Sequence, residues 1–161
     1  MTIVDPVMPV DARRNAAPPA AAPTVYVCTT CRRADTPDSE PRPGALLAAA
    51  TAKAAAGTDV AVCRVQCLAN CSRGPSAAVR CNGSWAYIFG GLDEACATAL
   101  IDGARLLANA ADGIMPWRGR PEPLKRSLIA RVPPLGFADH PGQDAQSRDA
   151  QHRDAQHKET E

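Results

Sequence analysis

The chain has 161 residues, 45% of them apolar, and 18 Lys plus Arg against 17 Asp plus Glu leave a formal charge of +1. That length supports one modest core with flexible additions and argues against two full domains. Near-neutral charge without a basic run excludes the electrostatic footprint of a nucleic-acid binder, and no window offers the unbroken apolar stretch that a membrane span needs.

Residues 1–23 are Pro- and Ala-rich with scattered charge, too poor in branched apolar side chains to offset the entropy of ordering, and are expected to form a disordered arm. Asp5 and Pro6 interrupt the basic start and apolar stretch of a signal peptide, so a cytoplasmic location is expected. The core runs over 24–134. Thr24–Val27 is a short β-branched and aromatic run, predicted as a strand that stops at Cys28. After a Pro-rich stretch that closes at Gly44, ALLAAATAKAAA predicts a helix of three turns that ends at Gly57. Residues 58–66 predict a second strand with Ala61, Cys63 and Val65 on one face. CLANCSRGP reads as loop. Residues 76–80 and 85–89 predict two strands joined through Asn82-Gly83, the strongest short hairpin signal. Asp93 is the expected N-cap of a last helix that carries Cys96, Leu100, Ile101 and Leu107 at helical spacing and is weakened by Gly103. The Pro- and Arg-rich stretch beyond Asp112 is expected to wrap the domain, with a short helix near Leu124–Ala130. Residues 135–161 repeat DAQSR, DAQHR and DAQHK, a polar period of five with no apolar face, and read as a solvated tail that includes His152 and His157.

The order strand, helix, strand, hairpin, helix predicts an α/β fold. A right-handed crossover makes the first two strands parallel and the hairpin extends the same sheet, giving a thioredoxin-like, four-stranded mixed sheet with two helices and a C-terminal wrap.

Seven cysteines in a small chain without an export signal point to metal rather than disulfides. Cys28 and Cys31 follow the first strand, and Cys67 and Cys71 follow the second. Both loops leave the carboxyl edge of a parallel pair, so the four thiols are placed to converge. Iron–sulfur clusters are held chiefly by four Cys thiolates, since soft sulfur suits iron. An oxidised 2Fe-2S cluster with four thiolates carries a charge of about minus two by formal counting, which Arg32, Arg33, Arg64 and Arg73 flank; N–H groups of Ser72-Arg73-Gly74 are candidate donors to the sulfurs. Cys63 is the reserve ligand and otherwise a small core residue. Cys81 and Cys96 read as structural.

Residues 67–101, CLANCSRGPSAAVRCNGSWAYIFGGLDEACATALI, resemble the second half of the thioredoxin-like 2Fe-2S ferredoxins: a Cys-x3-Cys loop, Gly-Pro, a strand, a Gly turn, an aromatic strand and a final helix. With VYVCTTCR before it and DGIMPW and ARVPP after it, the core also resembles a bacterial family of predicted metal-binding proteins, domain-of-unknown-function family 1636, whose members often lie near cobalamin biosynthesis genes. The ferredoxins separate their first two cysteines by a longer loop. Cys28 therefore carries over by its place at the strand end, and Cys31 by proximity alone.

The resemblance implies a non-enzymatic electron carrier holding a 2Fe-2S cluster on Cys28, Cys31, Cys67 and Cys71. Such a carrier has a redox partner protein, no nucleic acid or membrane, and a homodimer left open; a reduction step linked to cobalamin biosynthesis is its implied setting. Two alternatives use the same residues. A structural zinc module needs the same four-cysteine set. A dithiol oxidoreductase would use Cys28 and Cys31 opposite Pro75, though the Pro-rich run after Cys31 withholds the helix N-terminus that lowers a thiol pKa. Hydrolytic motifs are missing, and all three His lie at or beyond position 140. Trp85, Tyr87 and Trp117 are expected in the core, and the arginines of PWRGRPEPLKR on the solvated wrap.

Overall fold

A computed structural model describes residues 22–33, 35–36 and 38–137. Residues 1–21 of the expected arm and 138–161 of the expected tail, with His152 and His157, lie outside them. β1 spans Thr24–Cys28, α1 Pro43–Ala54, β2 Ala61–Val65, β3 Ala77–Arg80, β4 Ala86–Phe89, α2 Ala97–Ala108, α3 Glu122–Arg126 and β5 Leu128–Val132, with short 3₁₀ turns at Cys71–Arg73 and Glu94–Cys96. The sheet order is β2-β1-β3-β4-β5. β1 and β2 are parallel, and every other neighbouring pair is antiparallel. This is the thioredoxin-like plan with one strand added at its edge.

Period-two alternation builds the core. Val25 and Val27 of β1 stand in register with Val79 and Ala77 of β3, which in turn face Tyr87 and Phe89 of β4, so all six share one face. All are buried there against Leu47 and Ala48 of α1 and Leu100, Ala104 and Leu107 of α2. β2 adds Val62 to this cluster. Ala61, Cys63 and Val65 share the other face as expected, and Cys63, in register with Tyr26, is half-buried there rather than enclosed in the core.

Several local signals act differently from expectation. α1 starts at Pro43, where a missing N–H costs nothing because first-turn N–H groups have no intrahelical partner. Asp93 precedes the last helix without capping it. Its carboxylate instead accepts the Cys96 thiol at 3.2 Å and pairs with Arg33 at 3.8 Å. In the hairpin, the Ser84 N–H closes on the Cys81 carbonyl at 3.1 Å, and Gly83 takes φ +71°.

The main correction concerns the C-terminal stretch, where a helix over Leu124–Ala130 was expected. Helix occupies only Glu122–Arg126, with Pro121 and Pro123 at its start and Ser127 Oγ closing on the Pro123 carbonyl at 2.7 Å. From Leu128 the chain becomes a fifth strand on the open edge of β4. Residues 130–132 are exposed, so no apolar alternation announces it. α3 seats Leu124, fully buried, over Gly103 of α2; a Cβ at Gly103 would collide with Leu124 Cδ1. The glycine that weakens α2 in isolation is what lets α3 approach it.

Because Leu124 belongs to the main core, Leu124→Ala is expected to cost about 2–5 kcal/mol. Chemical denaturation checks this, and a loss under about 0.5 kcal/mol, typical of a surface change, would place α3 outside the cooperative unit.

A candidate thiol site at one edge of the sheet

Two backbone bonds continue the β1 ladders past the strand end: Thr29 N–H to the Val65 carbonyl at 2.8 Å and Cys28 N–H to the Ser76 carbonyl at 3.0 Å. The chain leaving β1, the chain leaving β2 and the chain entering β3 are thereby held at one edge. Gly44 brings α1 onto the same place, its N–H bonded to the Cys31 carbonyl at 3.1 Å. A Cβ there would overlap the Cys28 carbonyl oxygen and come within 2.9 Å of the Cys31 nitrogen.

The structure brings Cys28 and Cys31 side by side, near enough for each thiol to act on the ionisation of the other. Both are buried, at 1% and 4% exposure. The 66–76 loop closes over them from both sides. Cys28 Sγ donates to the Gln66 carbonyl at 3.2 Å. Gly74, whose peptide bond to Pro75 is cis, lies so near Cys31 that a Cβ would stand 3.1 Å from its sulfur. Between these two contacts the loop carries Cys67 and Cys71, both exposed. No three metal-ligating side chains converge among the described residues. The four expected ligands thus form one buried pair and two exposed thiols on the loop that covers it.

Electrostatics split the pair. Burial pushes the Cys28 thiol up, but hydrogen bonds from Cys31, from the N–H and hydroxyl of Thr30 and from the Leu68 N–H outweigh it and hold Cys28 below its ordinary value. Burial also pushes Cys31 up, the hydrogen bond and charge of Cys28 add to it, and the N–H and hydroxyl of Ser76 only partly oppose, leaving it at about 11.

The expected N–H donors of the Ser72-Arg73-Gly74 turn are used otherwise. Arg73 and Gly74 donate to the Asn70 and Cys71 carbonyls at 3.1 and 3.4 Å. The sulfurs draw instead on Thr30, Leu68 and Ser76, and on the Ala69 N–H, 3.2 Å from Cys67 Sγ. Ala69 holds φ +56°, a left-handed conformation that costs a residue with a Cβ roughly 1–2 kcal/mol, as backbones at functional loops often do. Nothing local in the sequence marks it. Of the four flanking arginines, Arg32 and Arg33 pair with Asp38 at 3.9 Å and Asp93 at 3.8 Å, while Arg64 and Arg73 are exposed.

The other cysteines stand apart. Cys63 lies two residues down the β1–β2 ladder from Cys28 and Val65. Cys81 and Cys96 are partly buried against the core, and burial, together with the Asp93 carboxylate, raises the Cys96 thiol. Tyr87 is fully buried and Trp85 packs on the core as expected, but Trp117 is 62% exposed.

The fold and its thiol edge define a thioredoxin-like α/β protein. Residues 25–134 match the model of the family described as protein of unknown function DUF1636, and the chain belongs to that family. A solved thioredoxin-like [2Fe-2S] ferredoxin from Aquifex aeolicus is similar to it at 16% identity and a TM-score of 0.47, over 74% of this chain and 100% of that one. No curated protein matches.

In the reduced, metal-free protein, exposed Cys67 and Cys71 are expected to alkylate first. Cys28 should follow, titrating below the ordinary thiol range, and Cys31 should react only as pH approaches about 11. Peptide mass spectrometry across pH reads the order, and Cys31 reacting ahead of Cys28 would refute the split.

Proposed function

We propose that Cys28, Cys31, Cys67 and Cys71 together hold a thiophilic metal centre, a 2Fe-2S cluster, and that the protein carries single electrons to or from a partner protein. The observation that carries this reading is the contact of the Cys28–Cys31 pair with the loop bearing Cys67 and Cys71. The donor chemistry fits: four sulfurs, no histidine, and N–H groups of Thr30, Leu68, Ala69 and Ser76 placed to stabilise thiolates. The cluster supplies one-electron redox chemistry when bound. The chain's part is to present four thiolates, to donate N–H groups to their sulfurs and to keep two of those sulfurs out of water. A reduction step linked to cobalamin biosynthesis is the setting proposed from the family resemblance.

Full-length protein purified anaerobically is expected to be brown, to contain about two irons and two sulfides per chain and to give an EPR signal on reduction. Cys67→Ser and Cys71→Ser should lose the cluster while Cys63→Ser retains it. Zinc without sulfide would replace this reading with a structural module of four cysteine ligands.

A second reading has its own observation, the direct Cys28–Cys31 contact. As a dithiol, the pair would give two electrons and two protons to a substrate disulfide, forming a Cys28–Cys31 disulfide and releasing two substrate thiols. Metal-free protein that reduces a model disulfide, with the activity lost in Cys28→Ser, would favour it.

A further inference from the structure

On the helix-bearing face, toward the hairpin end of β4, the 110–120 segment and β5 enclose a cleft of about 680 Å³. Its walls are largely apolar, with Tyr87, Met115 and Trp117 among them, and one wall is the side chain of Arg120. This residue is only 7% exposed. One Nη donates to the Met115 carbonyl, and the guanidinium carbon lies 5.4 Å from the ring centroids of both Tyr87 and Trp117. Tyr87 is itself fixed by accepting the Met115 N–H at 2.8 Å. Among the described residues, Arg120 has no carboxylate partner and its buried Nε has no acceptor.

A buried cation without a counter-ion is expensive, and one carbonyl with two π faces offsets only part of that cost. Arg131, on β5 in register with Tyr87, is a second arginine of the lining. It lies 4.9 Å over the Trp85 ring. Asp112 is the one carboxylate of the lining, and its Oδ1 already accepts the Ile114 N–H at 2.9 Å. Two arginines against one committed carboxylate leave the cleft positive. Lys125, whose Nζ stands 5.5 Å over Trp117, is neutralised by Glu122 at 3.3 Å.

We propose that this cleft binds a small organic anion, an oxyanion group on a flat apolar body, with Arg120 and Arg131 taking the oxyanion and the Trp117 side accepting the body. A guanidinium presents its N–H groups as a planar fork suited to carboxylate or phosphate. Exposed Trp117 and the apolar walls provide the remaining contact area. This assignment does not rest on the metal centre, since Cys28, Cys31, Cys67 and Cys71 lie at or beyond the ends of β1 and β2, at the opposite end of the sheet.

Calorimetric titration of the full chain with benzoate and with phenyl phosphate tests it. Saturable binding of either is expected, and whichever binds tighter identifies the head group. Arg120→Gln and Arg131→Gln should weaken that binding at least tenfold, and Trp117 fluorescence should respond in a Trp85→Phe background. Arg118→Gln, an exposed neighbour outside the lining, should leave affinity unchanged. Arg131 sits on an exposed edge strand, so its variant keeps the test sound if Arg120→Gln fails to fold. Absence of saturation with both probes at millimolar concentration would overturn the proposal, and so would equal weakening by Arg118→Gln and Arg131→Gln.

Discussion

The pairing of β1 with β2 on one side and β3 on the other is the constraint on which the site depends. β1 is short, and its last residue, Cys28, is at once a ladder position opposite Val65 and the first thiol of the edge. A one-residue slip would exchange the two faces, sending Val25 and Val27 out of the core and Tyr26 into it. The apolar alternation therefore sets where Cys28 lies, and the bonds from Thr29 to Val65 and from Cys28 to Ser76 extend that register into the loops. Gly44 and Gly74 then permit the close approach, one of α1 and one of the covering loop, that buries the pair.

Much of this was legible in the sequence because it rests on strong local signals. Val25-Tyr26-Val27, the Ala- and Leu-rich run of α1, Asn82-Gly83 and the spacing of Leu100 and Leu107 each act over a few residues and agree with one another. The convergence of two cysteine loops followed from the parallel crossover alone. What escaped depended on partners remote in sequence. β5 exists because β4 has an open edge, and exposed Arg131 and Val132 carry no pattern that says so. Gly103 reads as a flaw in α2 until Leu124 is set against it. Trp117, expected in the core, lies outside it because the Pro-rich segment turns the ring over Lys125 and Arg120. Arg120 itself looked like one of several solvated arginines, and only the fold places Tyr87 beneath it.

The thiol edge combines two kinds of sulfur. Cys28 and Cys31 are enclosed, and enclosure raises the cost of a thiolate; hydrogen bonds from Cys31, Thr30 and Leu68 outweigh that cost at Cys28, whereas those of Ser76 oppose it only in part at Cys31. Cys67 and Cys71 are exposed, on a loop that already bears the backbone strain of Ala69. An enclosed half and an exposed half suit the metal-holding role proposed above, since the loop bearing Cys67 and Cys71 can change without disturbing the core beneath it.

The cleft obeys a different logic, and β4 relates the two. At its carboxyl end, Gly90 admits the Asn70 side chain and the Arg73 carbonyl, which anchors the cysteine loop; nearer its start, Tyr87 faces Arg120. The residues between pair regularly with β3 on one side, while the pairing with β5 on the other shifts register between Ile88 and Phe89. Coupling between sites requires an element with two states that both ligands bias. The ladder to β3 is one arrangement shared by both ends of β4, so the proposed anion at Arg120 and the proposed metal at the cysteines are expected to bind without either altering the affinity of the other.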